Sequence, residues 1–168
     1  MDVLVRPESP QDEAAIEAVT RAAFLAAPHT SHTEQFIVAA LRRAGALAVS
    51  LVAVEAGTVI GHVAASPVVL SDGARGWHGL GPIAVLPAHQ GQGIGSRLVR
   101  EALGALRARG AAGCVVLGEP AFYGRFGFRA ETDLVLPDVP PEYFQALAFG
   151  GPLPRGVVSF HAAFDARA

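Results

Sequence analysis

Hydrophobic positions along the chain change their period several times, and each change marks an element. Val3 to Arg6 reads as a short first strand. Ser9-Pro10-Gln11-Asp12 combines an N-cap, a first-turn proline and an acidic third position, which predicts a helix from about Pro10 to Ala27. Pro28-His29-Thr30 breaks it, and Ser31-His32-Thr33-Glu34 repeats the capping-box pattern ahead of a second helix ending near Arg43. Ala48 to Glu55 and Val59 to Leu70, turning at Gly57, read as adjacent antiparallel strands. Asp72-Gly73 marks a hairpin into a strand near Gly76 to Leu86. From Ile94 the period becomes helical, with Ile94, Leu98, Ala102, Ala105 and Leu106 on one face, until Gly110 and Gly113 end it. Cys114 to Leu117 is short and wholly apolar, as expected of a central strand covered on both faces. Pro137 to Pro141 and Gly150 to Pro154 are loop signals around a predicted short helix, Tyr143 to Leu147.

A chain of 168 residues that is 51% hydrophobic suffices for one sizeable core, so residues 1–168 are read as a single domain. The net charge of -2 gives no basic footprint for nucleic acid, and all thirteen basic residues are arginine. The lone cysteine, Cys114, excludes an internal disulfide framework, and its apolar setting reads as a core thiol. No stretch has the length of a signal peptide or a membrane span, so a cytoplasmic location is expected. The histidines lack short metal-ligand spacing, no metal is expected, and no Gly-x-Ser-x-Gly elbow supports a serine hydrolase.

The stretch from Gly79 to Val99 carries the strongest chemical signal. A strand stops at Pro87, a glycine-rich turn follows, and a helix begins, so unpaired N–H groups and a positive dipole end face the turn. A phosphate or pyrophosphate fits such a turn. A nucleoside-triphosphate loop needs a lysine after the last glycine, where Ser96 and Arg97 stand instead. A dinucleotide fingerprint needs a third glycine at position 96 and a place after the first strand, and neither condition holds. What remains is Gln90-Gly-Gln-Gly-Ile-Gly95, which matches Gln/Arg-x-x-Gly-x-Gly/Ala. This resembles the acyl-CoA pyrophosphate loop of the GNAT superfamily of N-acetyltransferases. Leu117-Gly-Glu-Pro-Ala-Phe-Tyr-Gly-Arg-Phe-Gly-Phe128 is similar to the same family's tyrosine-bearing block, in the wording of its YhbS-like branch. With the Arg6 to Asp12 opening and the Gly156 to Phe164 ending, the resemblance spans nearly the whole chain.

The resemblance implies an α/β (α+β) acyl-CoA N-acyltransferase fold, with a central mixed, mostly antiparallel sheet, flanked by helices and splayed at its middle strands. It implies acetyl-CoA as co-substrate and an amine as acceptor. Gly81-Pro82 breaks the strand's ladder, because proline has no N–H and glycine permits a bulge. A splay there frees main-chain groups of Ile83, Ala84 and Val85, to which a pantetheine arm adds like another strand. Gln90, Gly91, Gly93, Ile94, Gly95 and Ser96 then cup the pyrophosphate. A backbone N–H near Val85 is the expected oxyanion donor.

Tyr123 occupies the position of the family's tyrosine acid, the expected proton donor to the leaving thiolate. For the base, Glu119 comes first and His78 second, with Glu55 and His62 weaker; His32 and Glu34 border a prospective acceptor pocket. Arg97, Arg100 and Arg125 are candidates to reach cofactor phosphates. The expected activity is direct acetyl transfer to a primary amine of a small molecule, peptide or protein. The alternative is a non-catalytic acyl-CoA sensor or interaction module on the same fold, and a nucleotide-binding oxidoreductase is more distant. The Tyr143 to Phe164 segment is a candidate homodimer interface or pocket wall.

Overall fold

The computed structural model describes residues 2–28 and 30–168; Met1, and His29 within the predicted helix break, lie outside the described residues. Strand β1 spans Val3–Pro7 and helix α1 spans Glu13–Leu25, entered through a 3-10 turn at Pro10–Asp12. Asp12 closes the expected capping box, its carboxylate accepting from the Ser9 N–H and from Arg6, each at 2.7 Å. Helix α2, Glu34–Arg43, begins later than its capping box implies, because His32 takes a φ of +58° outside the helical region. Glu34 still reaches back to the Ser31 N–H at 3.3 Å.

Strands β2 (Val49–Glu55) and β3 (Thr58–Pro67) pair antiparallel, as expected. The predicted strand to Leu70 divides at Pro67. Val68 donates to the Trp77 carbonyl, and Val69–Leu70 becomes β4 of a separate small sheet. The remaining elements are β5 (Trp77–Val85), α3 (Ile94–Ala108), β6 (Gly113–Leu117), α4 (Pro120–Tyr123), β7 (Leu134–Val135), β8 (Phe144–Ala148) and β9 (Gly156–Ser159). The main sheet runs β1-β2-β3-β5-β6-β8, and the small one β4-β9-β7.

The expected helix at Tyr143 to Leu147 is strand β8. A five-residue, mostly apolar run cannot declare its own period, and here tertiary pairing decides it. Phe144 to Ala148 pairs in full with Leu117 to Gly113, burying Phe144, Gln145 and Ala146 in succession. Both faces of the strand are covered, and Gln145 meets its polar obligation by donating to the Gly118 carbonyl at 3.1 Å.

Alternation along the strands divides the core between two faces. Leu51, Ala53 and Val63 pack with Leu98, Val99, Ala102 and Leu106 of α3. Val52, Val59 and Ala84 pack with Ile16, Val19 and Val38 of α1 and α2 on the other face.

The middle of the sheet parts. Trp77, His78 and Gly79 pair in parallel with Gly113, Cys114 and Val115, and the ladder between β5 and β6 ends there. On its other edge β5 stays joined to β3. Between Ile83 and Leu80 it carries Gly81 and Pro82 opposite Ala64 alone, the bulge that the sequence implies. Beyond Gly79, therefore, β5 has a partner on one edge only.

One buried polar group of β3 sits in a hydrogen-bonded chain. His62, 1% exposed, shares a 2.8 Å hydrogen bond between its Nε2 and Ser50 Oγ. Ser50 donates in turn to Glu8, whose carboxylate accepts from Arg42 Nε and Nη2 at 2.9 Å each. With the Ser50 proton committed to Glu8, His62 donates from Nε2, leaving Nδ1 a buried acceptor without a partner. Burial, opposed by Glu8 and helped by a smaller contribution from Arg42, holds its pKa down to about 4. An unfolded histidine titrates near ~6.5. Between these values the unfolded chain binds a proton that the fold refuses, so stability falls as pH drops from about 6.5 to about 4. His62→Gln is expected to flatten that part of the curve, as measured by urea unfolding at pH 7, 5.5 and 4; an unchanged slope would exclude His62 as its source.

Candidate active site

The turn after β5 is built for close approach to its backbone. Pro87–His89 forms a 3-10 turn, and Gly91 and Gly93 take φ values of +77° and +83° that a side chain would strain. Arg97 makes the first helical bond of α3, donating to Gly93 at 3.1 Å, so the N–H groups of 94–96 have no carbonyl one turn behind them. No acidic residue occupies that first turn to compensate the dipole. Gly91, Gly93, Ile94, Gly95 and Ser96 thus come together as an anion-receptive cup. A cavity of about 400 Å³ adjoins it, lined by Asp2, Val3, Gln92, Gly93, Ile94 and Arg97.

Gln90 serves the cup through its side chain, whose Nε2 donates to the Val85 carbonyl at 3.0 Å and ties the turn to the strand end. The same bond reveals which edge of β5 is open. Leu86 donates to the Ile60 carbonyl at 2.9 Å, so the strand's alternation turns the main-chain groups of Ala84 toward β3. Those of Ile83 and Val85 face the parted edge. The main-chain groups of Ile83, Ala84 and Val85 are therefore not equivalent, and only the first and third face the opening.

Tyr123 lies on the far wall of that opening. Its ring fills the space beside Gly118, where a Cβ would collide with it, and stands edge-on to Phe122 at 4.9 Å and Phe128 at 5.9 Å. Burial pushes its phenol up to about 12, with a smaller contribution from nearby Cys114. The hydroxyl is thus protonated throughout the neutral range. Cys114 pairs with His78 at the fork; burial raises its thiol far above the usual range against a Leu80 N–H that lowers it, so it is no thiolate.

The catalytic candidates are not all brought together. Glu119 is exposed at the start of α4, with its carbonyl accepting from Phe122 and Tyr123 at 3.1 and 3.0 Å. His78 is buried in the paired part of the sheet, across the bulge from Ile83 and Val85. Burial first, and Arg109 second, hold its pKa below the ordinary imidazole value, and its Nδ1 has no partner. Glu55 ends β2 opposite Val3 and Thr58, away from the opening. Glu34 Oε2 accepts the capping bonds while its Oε1 is buried without a partner, and His32 is exposed.

The three arginines also separate. Arg97 donates to the Val3 carbonyl and lies 3.8 Å from Glu101, and Arg100 stacks 5.2 Å from the Phe126 centroid. Arg125 reaches the cup, donating to Ser96 Oγ at 2.6 Å. That joint is legible in sequence only as an arginine between the two aromatics of Tyr-Gly-Arg-Phe, a weak signal. The Glu8–Arg42–Ser50–His62 chain has no sequence signal, since its members are far apart along the chain. Among the described residues, no group of three or more His, Cys, Asp or Glu residues gathers to hold a metal, and no helix is long and apolar enough to cross a membrane.

Residues 13–128 match the Acetyltransferase (GNAT) family. The uncharacterized N-acetyltransferase YhbS of Escherichia coli K12 is 42% identical over 127 residues, covering 75% of this chain and 73% of that protein. A GNAT family acetyltransferase from Brucella melitensis, solved in complex with acetyl-CoA, is 51% identical with a TM-score of 0.88, covering 98% of this chain and 99% of that one. YhbS from Escherichia coli, solved in complex with CoA, superposes with a TM-score of 0.86 at 36% identity, covering 97% of this chain and 92% of that one. A glycine cup at a helix start, a strand parted from its neighbour, and a family match across both make this chain a member of the GNAT acetyltransferase family.

Proposed function

We propose that residues 1–168 act as one N-acetyltransferase domain that moves the acetyl group of acetyl-CoA directly to a primary amine. The open edge of β5 carries this reading. It leads from the anion-receptive cup toward the fork where Tyr123 and Cys114 meet. The acetyl-CoA and CoA complexes of the Brucella and Escherichia coli proteins support the same co-substrate here. The pyrophosphate accepts from the N–H groups of Gly95 and Ser96, while Gly91 and Gly93 keep side chains out of its way. Gln90 holds the turn against Val85. The pantetheine amides pair with Ile83 and Val85, leaving Ala84 to its bonds with β3.

In the reaction, the amine lone pair attacks the thioester carbonyl carbon, and a main-chain N–H of the open edge stabilises the oxyanion. The C–S bond then breaks, and the thiolate takes the Tyr123 proton. The new amide nitrogen loses its extra proton to solvent, with Glu119 as the nearby exposed carboxylate, and Tyr123 is reprotonated from water. The burial of His78 in the paired sheet supports a packing role for it.

Acetyl-CoA-dependent thiol release across a panel of small amines, polyamines, peptide N-termini and lysine peptides tests this reading. Tyr123→Phe keeps the ring against Gly118 and is expected to lower kcat by about 10²-fold or more with the melting temperature unchanged. Release that is indifferent to every amine, or to this variant, would reject direct transfer with Tyr123 as the acid. Because burial pushes the phenol's pKa up to about 12, the rate should rise as the amine deprotonates and show no alkaline fall up to pH 10. Cys114→Ala should leave turnover within a few-fold; loss of transfer in a folded variant would instead indicate an acyl-cysteine intermediate.

A further inference from the structure

Resting on the acetyl-CoA reading, we infer that Phe160 sets the length of the acyl group, roofing the end of the parted sheet so that acetyl fits there and longer acyl chains do not. The ladder between β5 and β6 closes at Gly79 and Val115. An extended arm that enters from the cup along the open edge runs toward that closed pair. An acyl chain growing from the end of the arm meets paired backbone and has to leave the plane of the sheet.

The two ways out are unequal. On the α3 face stand Leu80 and Cys114, both buried, with Tyr123 packed into the same core. Side chains of the two strands themselves fill that side. On the opposite face Gly79 contributes no side chain, and a Cβ there would collide with the Phe160 ring. Phe160 packs against the cluster that holds Val115 and Phe144, standing edge-on to Phe144 at 6.5 Å and tilted over Phe164 at 5.0 Å. One ring thus covers the vertex from β5 toward β8. The closure is steric: Ser66, opposite Gly79 and therefore on the same face, is buried with its hydroxyl unpartnered, so it makes no hydrogen bond that would hold this end shut. Phe160 belongs to neither wall of the opening. It follows β9, precedes the turn Ala162–Asp165 that packs on α2, and is only half-buried, so it can be shortened without breaking the ladder.

Calorimetric affinities for CoA, acetyl-CoA, propionyl-CoA and butyryl-CoA, measured on the wild-type chain, Phe160→Leu and Phe160→Ala, test the inference without requiring the amine. The wild-type chain should bind butyryl-CoA about tenfold or more weakly than acetyl-CoA, the usual scale for surplus methylenes in a closed apolar space. Phe160→Ala should erase most of that difference and Phe160→Leu part of it, while both bind CoA itself within about twofold of wild type. Adding Gly79→Ala to Phe160→Ala places a methyl group in the vacated space and should restore part of the discrimination. Phe160→Leu keeps an apolar side chain over Gly79 and carries the test should the alanine variant fail to fold. Equal wild-type affinities for acetyl-CoA and butyryl-CoA, or a difference that survives undiminished in a variant that still binds CoA, would overturn the role of Phe160 and leave the acetyl-CoA reading intact. A wild-type chain that binds neither CoA nor acetyl-CoA would remove both.

Discussion

The site depends on one interruption in a hydrogen-bond ladder. β5 and β6 begin as a parallel pair, and their bonds stop after Gly79 and Val115. Each strand residue carries one main-chain donor and one acceptor, and leaving these unpaired in an interior is costly. A parted sheet therefore needs a third edge, and an extended chain of amides is the chemistry that completes it. The bulge at Gly81 and Pro82 keeps β5 attached to β3 while its other edge is freed. On the proposed reading, the acyl-carrier arm is the missing strand and the cup after β5 the anchor at its end.

The rest of the fold stabilises that interruption. α3 has its buried face, including Leu98, Val99, Ala102 and Leu106, against the sheet, so its N-terminus cannot drift from the end of β5. Gln90 ties the intervening turn to Val85. On the opposite wall, Gly118 admits the Tyr123 ring, and β8 secures β6 along its full length. The opening is thus held between two strands that are each paired on their outer edges. Phe160 covers Gly79, where a Cβ would collide with its ring, and so packs over the point where the ladder ends.

Local chemistry made most of this legible in the sequence. The Ser9–Asp12 box, the Gly81-Pro82 bulge and the glycine turn each follow from residues adjacent in the chain, and they correspond to structure at those positions. β8 was not legible, because its strand character comes from Gly113 to Leu117, about thirty residues earlier. The division of Ile83, Ala84 and Val85 between two edges was hidden for a related reason: residue type does not set which way a main-chain N–H points. Arg125 reads as a solvated charge until Ser96, on another helix, is seen to hold it.

On the proposed reading, the two substrates meet different kinds of structure. At the cup, the directions of the main-chain N–H groups are set by the fold before anything binds. Preorganisation of this kind lowers the entropy lost on binding. The candidate bases among the described residues are held in different places. Glu119 is exposed, His78 is sealed in the paired sheet, and His62 is committed to Ser50. On the proposed reading, the site presents the thioester beside a neutral phenol. Choice of amine then falls to the surrounding loops and to the amine's own basicity, rather than to the core that holds the cofactor.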